Sequence, residues 1–105
     1  MSGKDKLKPE KVFQLVSRIP SGFVTTYKEI AISLGHPSGA RVVGNILSQN
    51  SNLVSTPCHR VVKSDGSLGG YARGSEEKKK LLEKEGVVFF SKKRIDLKKH
   101  FFNFR

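Results

Sequence analysis

Two clusters of helix-breaking residues, Pro20-Ser21-Gly22 and Gly35-His36-Pro37, most constrain how this chain can fold. Proline inside a helix loses a hydrogen bond, and glycine ends helices by entering backbone conformations that other residues avoid. Around the breaks apolar residues recur at helical spacing, so short helices are predicted, each too brief to be stable alone. Pro9 suits a first helical turn, and Val12, Phe13, Val16 and Ile19 form the stripe of a first helix. After a short extended piece, Phe23-Val24-Thr25, Thr26 and Glu29 make a capping box. It opens a second helix that turns Ile30, Ala31 and Leu34 inward. Ser38 is a candidate N-cap for a third helix over about 39–49. Val42, Val43, Ile46 and Leu47 form its apolar stripe, while Arg41, Asn45 and Ser48 fall on another face at i, i+4 and i+7. Two short helices joined by a glycine-containing turn predict a helix-turn-helix.

Beyond the loop Asn50-Ser51-Asn52 comes the stretch with the clearest chemistry, Ser55-Thr56-Pro57-Cys58-His59-Arg60-Val61-Val62. Pro57 fixes φ and lacks an N–H, so a stiff turn should present Cys58 and then enter a strand. A lone cysteine is commonly a buried packing residue. A nucleophilic one needs a lowered pKa or a nearby base, and Cys58 has His59 and Arg60 beside it. Neighbours in a strand point to opposite faces, so His59 would act through the turn geometry or a water.

The second half is read in the same way. Ser64-Asp65-Gly66 is a turn, and Leu68-Gly69-Gly70-Tyr71 is either a mobile loop or a place where backbone approaches a ligand closely. Ser75-Glu76-Glu77 should cap a fourth helix, ended by Gly86. Lys78-Lys79-Lys80 reads as a solvated face. Leu81, Leu82 and Glu85 share another, which leaves Glu85 either at a wet rim or inside, in need of a cationic or N–H partner. Val87-Val88-Phe89-Phe90 and Ile95-Asp96-Leu97 are candidate strands. Lys92-Lys93-Arg94 and Lys98-Lys99 interleave with aromatics up to Phe104, either to touch phosphates or to pack across the domain.

A net charge of +11 on 105 residues favours polyanionic partners, nucleic acid before an anionic membrane surface. One cysteine excludes an internal disulfide, and the scattered His36, His59 and His100 exclude a zinc spacing, so neither metal nor cofactor is expected. No apolar run is long enough to span a bilayer and no signal-peptide core follows Met1, so a cytoplasmic or, in a eukaryote, nuclear location is expected.

The run Pro57 to Val62 resembles the active-site motif of the methylated-DNA–protein-cysteine methyltransferases, the O6-alkylguanine-DNA alkyltransferases. Gly22-Phe23-Val24-Thr25-Thr26-Tyr27-Lys28-Glu29-Ile30-Ala31, Ala40-Arg41-Val42-Val43-Gly44-Asn45, Gly69-Gly70-Tyr71 and Glu85-Gly86 are similar to further family motifs in the same order. The resemblance implies a small, mainly helical α+β domain with a winged helix-turn-helix and a short β-hairpin. Residues 1–8 would be a loose basic arm and 9–105 the single DNA-binding and catalytic domain, without the ribonuclease-like domain that many members carry.

It also implies roles. Cys58 would accept the alkyl group irreversibly, His59 would draw its proton, Glu85 would orient His59, and Asn50 would hold the active-site turn. Tyr27 would help rotate the damaged nucleotide outward and lie near its N3 edge, while Arg41 fills the gap. Asn45, Ser48 and Arg60 would join Tyr27 and Arg41 on DNA. Val61, Gly69, Gly70, Tyr71 and Ala72 would join Tyr27 in forming the base pocket, and Gly44 would let its helix approach a neighbour. The implied partner is double-stranded DNA containing O6-alkylguanine, with O4-alkylthymine a further candidate substrate, bound by a monomer. Alternatives are an alkyltransferase-like protein that binds lesions without transfer, in which the cysteine is typically replaced, and a non-catalytic winged-helix DNA-binding protein.

Overall fold

The computed structural model describes residues 7–50 and 56–104. Ser51, Asn52 and most of the basic arm lie outside the described residues. The arm gives way to the fold at its end: Leu7 packs on the first core cluster and Lys8 is the N-cap of α1. Helix α1 spans Pro9–Val16, with proline in the first turn where its missing N–H costs nothing. Helix α2, Tyr27–Ser33, begins as its capping residue dictates: the Glu29 N–H donates to Thr26 Oγ1 at 3.0 Å. Helix α3, Ala40–Ser48, is preceded by Gly39 rather than by the expected Ser38, and no side chain caps it. Val43 and Leu47 are buried, but Val42 is half exposed, so the stripe on α3 is narrower than its apolar residues suggest.

Strands β1, Thr25–Thr26, and β2, Val61–Val62, pair in parallel, Thr25 with Val61 and Thr26 with Val62. Successive strand residues face opposite sides, and here that alternation divides the interior. Val61 packs with Val12, Val16, Ile30, Val43 and Cys58, whereas Val62 packs with Val24, Leu82, Val87 and Ile95. One core thus lies under the helix-turn-helix and the other under α4, Ser75–Lys84. Cys58 sits at the margin of the first.

The fold is α+β, with five helices and one two-stranded sheet among the described residues. The tail segments read as candidate strands form only single antiparallel bridges, Phe89 with Ile95 and Arg94 with Ser67. Asp96 and Leu97, expected in a strand, instead cap and start the short helix α5, Leu97–His100, because the Asp96 carboxylate accepts from the Lys99 N–H. Likewise α4 is capped by Gly74, at φ 93°, which places Ser75 inside the helix. His100 ties the tail down: its Nε2 accepts from the Val88 N–H, and its Nδ1 donates to Gly22 O, each at 2.9 Å. Among the described residues no helix is long and apolar enough to cross a membrane.

Candidate functional site

The proline-led turn folds as a single 3-10 turn, Cys58–Arg60, running directly into β2. This places Cys58 in the wall of a cleft of about 810 Å³. Arg41, Gly44 and Ser48 of α3 line one part of it, Lys63, Ser64 and Asp65 another, and Gly69 to Ala72 a third, with Tyr27 between. Gly69 adopts φ 73°, and a Cβ there would lie 2.8 Å from the Tyr27 hydroxyl, so only glycine lets this loop meet the ring. Gly44 also faces Tyr27, but a methyl group would sit at 3.8 Å, ordinary contact, so close approach does not require glycine there. Asn45 is exposed on α3 outside the cleft wall, and the Ser48 hydroxyl donates to its carbonyl at 2.7 Å.

Cys58 is 6% exposed, and the Asn50 amide donates to its sulfur at 3.1 Å. Burial raises the thiol pKa above its ordinary value, and the Asn50 hydrogen bond and the Lys78 charge bring it only part of the way back. A thiol in this position is mostly protonated at neutral pH and needs a base.

The adjacent imidazole is arranged as one. His59 Nε2 lies 2.9 Å from Glu85 Oε2, which makes Nε2 the protonated nitrogen and leaves the lone pair on Nδ1. Nδ1 is buried and has no hydrogen-bond partner among the described residues. Burial lowers the His59 pKa against the pull of Glu85, so the ring is neutral at pH 7. For Glu85 burial acts upward, but hydrogen bonds from Arg60 and His59 prevail and hold its carboxyl below the usual range. Tyr71 closes the other side of the imidazole, edge to face at 6.3 Å between ring centres.

Arg60, expected on the DNA side, is turned inward. Its Nε and Nη2 grip Glu85 at 3.0 and 2.7 Å, and Nη1 donates to Ile19 O at 2.8 Å. A two-pronged guanidinium is the donor that fits a half-buried carboxylate, and here it anchors the glutamate that holds His59. Val61, expected in the pocket, is fully buried with its side chain in the core, and only its carbonyl serves the site.

That carbonyl leads to a residue that sequence reasoning misread. Lys78 is completely buried, not solvated. Its ammonium donates to Val61 O at 2.6 Å, to Leu68 O, to Gly70 O at 3.0 Å, and more distantly to the Tyr27 hydroxyl at 3.4 Å. Three carbonyls match its three donors, and together they pin the cleft loop to β2. Burial pushes the Lys78 pKa down to about 7, with a Cys58 thiolate pulling it upward. Tyr27, raised to about 12 by burial and by the same thiolate, keeps its proton and is a hydrogen-bond donor. A signal for Lys78 existed: it lies four residues before Leu82 and seven before Glu85, on their face of α4. Among the described residues no cluster of His, Cys, Asp and Glu could hold a metal ion.

The family model for the DNA-binding domain of 6-O-methylguanine DNA methyltransferase matches residues 8–87. A methylated-DNA–protein-cysteine methyltransferase of Saccharolobus islandicus is 54% identical over 76 residues, covering 72% of this chain and 48% of the relative. A bifunctional methyltransferase/endonuclease of Picrophilus torridus is 44% identical over 92 residues, 88% of this chain and 30% of the relative. The chain thus spans half or less of these curated relatives. Among solved structures, S. pombe Atl1 in complex with damaged DNA containing O6-carboxymethylguanine superposes with a TM-score of 0.81 at 32% identity, covering 90% of this chain and 94% of that one.

Proposed function

Since the chain belongs to the 6-O-methylguanine DNA methyltransferase family, whose DNA-binding domain it matches, we propose that it repairs duplex DNA by moving the alkyl group of O6-alkylguanine irreversibly onto Cys58. The observation that carries this reading is one juxtaposition. The Cys58 sulfur forms part of an open cleft, with the Asn50 amide on it and the Glu85–His59 pair in the next residue's reach.

The basic chain binds DNA through phosphates with little sequence preference. Arg41, exposed where α3 borders the cleft, takes the place of the extruded nucleotide. Extrusion costs a few kcal/mol of stacking, and a planar cation recovers part of it. The base enters between Tyr27 and Tyr71, against the backbone of Gly69 and Gly70. His59 Nδ1, which makes no hydrogen bond to the sulfur, takes the Cys58 proton through one water, while Glu85 steadies the imidazolium. The thiolate attacks the alkyl carbon and the carbon–O6 bond breaks. Tyr27 donates to the guanine anion, and the proton taken from the thiol finally returns to guanine. A thioether is a poor leaving group, so each chain acts once.

The test is a duplex carrying O6-methylguanine labelled in the methyl group. One label per chain on the Cys58 peptide supports transfer. Lesion binding without transfer is the second reading, favoured by the near full-length likeness to Atl1 on damaged DNA. It expects a retained complex and an unmodified thiol.

Two variants separate the roles. Arg41→Ala is expected to slow repair in duplex DNA roughly ten- to a hundredfold, the loss of part of the extrusion compensation. Its reaction with free O6-benzylguanine should be unchanged, and equal losses would remove Arg41 from extrusion. Glu85→Gln takes away the charge that opposes burial at His59, so the base weakens further. Single-turnover transfer at pH 7 should fall about a hundredfold, the lower end of what a general base contributes. The defect should narrow only at alkaline pH, above the raised pKa of the buried Cys58 thiol, where the thiolate forms unaided. A constant defect at every pH would exclude the proton relay.

A further inference from the structure

The family model match ends at residue 87, and the segment beyond it carries a feature the proposed mechanism does not use. Phe90 and Arg94 face each other across a tight loop closed by a 2.8 Å hydrogen bond from the Phe90 N–H to Arg94 O. The loop holds Ser91, Lys92, Lys93 and Arg94, all exposed, and Phe90 is 75% exposed. An exposed ring flanked by cations is the combination that nucleic-acid surfaces use.

The base of the loop is fixed to the cleft. Ser67 bridges to Arg94, the Ile95 N–H donates to Gly66 O at 2.9 Å, and Arg94 lies 3.6 Å from the Asp65 carboxylate. Ser64 and Asp65 form part of the cleft wall beside Lys63. A cleft built partly from α3 and partly from this turn therefore has cations on two borders: Arg41 on the helix, and Lys63 with the tail loop on the turn.

We propose that the Phe90–Arg94 loop is a second DNA contact, in which Lys92 and Lys93 neutralise backbone phosphates of the duplex on the border of the cleft made by residues 63–65, not by α3. The proposal rests on the DNA-repair reading above. Duplex DNA is favoured over an acidic protein or an anionic membrane because a strand that delivers a base to the cleft must pass the turn to which this loop is tied.

The test is the salt dependence of binding to a lesion-free 30-base-pair duplex, for the wild type, for Lys92→Ser/Lys93→Ser, and for Lys80→Ser/Lys84→Ser, which removes the same charge from the exposed face of α4. Two lost phosphate contacts should make the slope of log affinity against log salt shallower by about 2 and weaken low-salt binding roughly tenfold or more. The α4 pair should change the slope by less than half as much, and the reaction of both variants with free O6-benzylguanine should match the wild type. Equal slope changes in the two pairs, or none in the loop pair, overturn the loop contact. Loop variants that bind DNA normally but lose binding to anionic vesicles or to an acidic protein also overturn it. A wild type that binds no duplex at any salt overturns the DNA reading itself.

Discussion

Cys58→Ala is expected to bind O6-alkylguanine duplexes and to take nothing from them. No second thiol exists in the chain, so transfer should fall below detection, with no slow residual route through another sulfur. Binding should survive because most of the cleft wall comes from Tyr27, α3, residues 63–65 and the Gly69–Ala72 loop, and alanine keeps the Cβ that Cys58 packs into the core. Losing one buried sulfur costs about 1 kcal/mol in a core of this kind, so the variant should fold. It would then be a lesion-binding protein of the second kind considered above. The measurement is paired: complex formation with lesion DNA by gel shift, and label on protein by mass spectrometry. Label on the alanine variant would show that Cys58 is not the acceptor on which the reading depends, and loss of binding along with transfer would show that the sulfur also holds the cleft in shape.

Lys78→Met should have the largest effect on stability. Methionine fills much of the same volume but has no donors, so the carbonyls of Val61, Leu68 and Gly70 lose their partner inside the fold. Leaving buried polar groups unpaired costs about 1–3 kcal/mol each, without full additivity, so a loss of about 3–5 kcal/mol is expected in denaturant unfolding. Arginine should not rescue it, because a planar guanidinium does not fit the space of a tetrahedral ammionium-like head. The same variant should react poorly even with free O6-benzylguanine, because the loop bearing Gly69 to Ala72 is no longer held to β2.

Lys78 also predicts a pH signature. Its pKa lies near 7 in the folded protein against an ordinary 10.5, so between those values the unfolded chain binds more protons than the native one. Stability therefore rises with pH in that window. Above pH 9.0 the raised thiol pKa of Cys58 begins to work the other way. From pH 7 to 9 the wild type should thus gain up to about 1.4 kcal/mol per pH unit, and Lys78→Met should show no such rise. Equal stability of the two proteins at every pH would mean that the Lys78 nitrogen does not hold the loop.

The misreadings share a cause. Arg60 belongs to a motif readable over six residues, yet its direction depends on Glu85 and on the carbonyl of Ile19, both distant in the chain. Lys78 looks like its two neighbours in a run of three. Only the packing of α4 against the Cys58–Arg60 turn and β2 decides which of the three faces inward, although its helical register with Leu82 and Glu85 was there to be read. The tail failed differently. Asp96 and Leu97 look like strand between apolar neighbours, but a local carboxylate cap won over extended pairing.

What the amino-acid order determined alone was whatever a few neighbouring residues can enforce. Pro9 opens a helix, Thr26 caps one, Pro57 stiffens the turn that carries the thiol, and the breaks at residues 20–22 and 35–37 set the helix lengths. Tertiary structure alone decided which charges are inside. Burying a cation or a carboxylate costs too much unless its partners arrive from elsewhere in the chain. The fates of Arg60, Lys78 and Glu85 were therefore settled by long-range contacts, not by their neighbours.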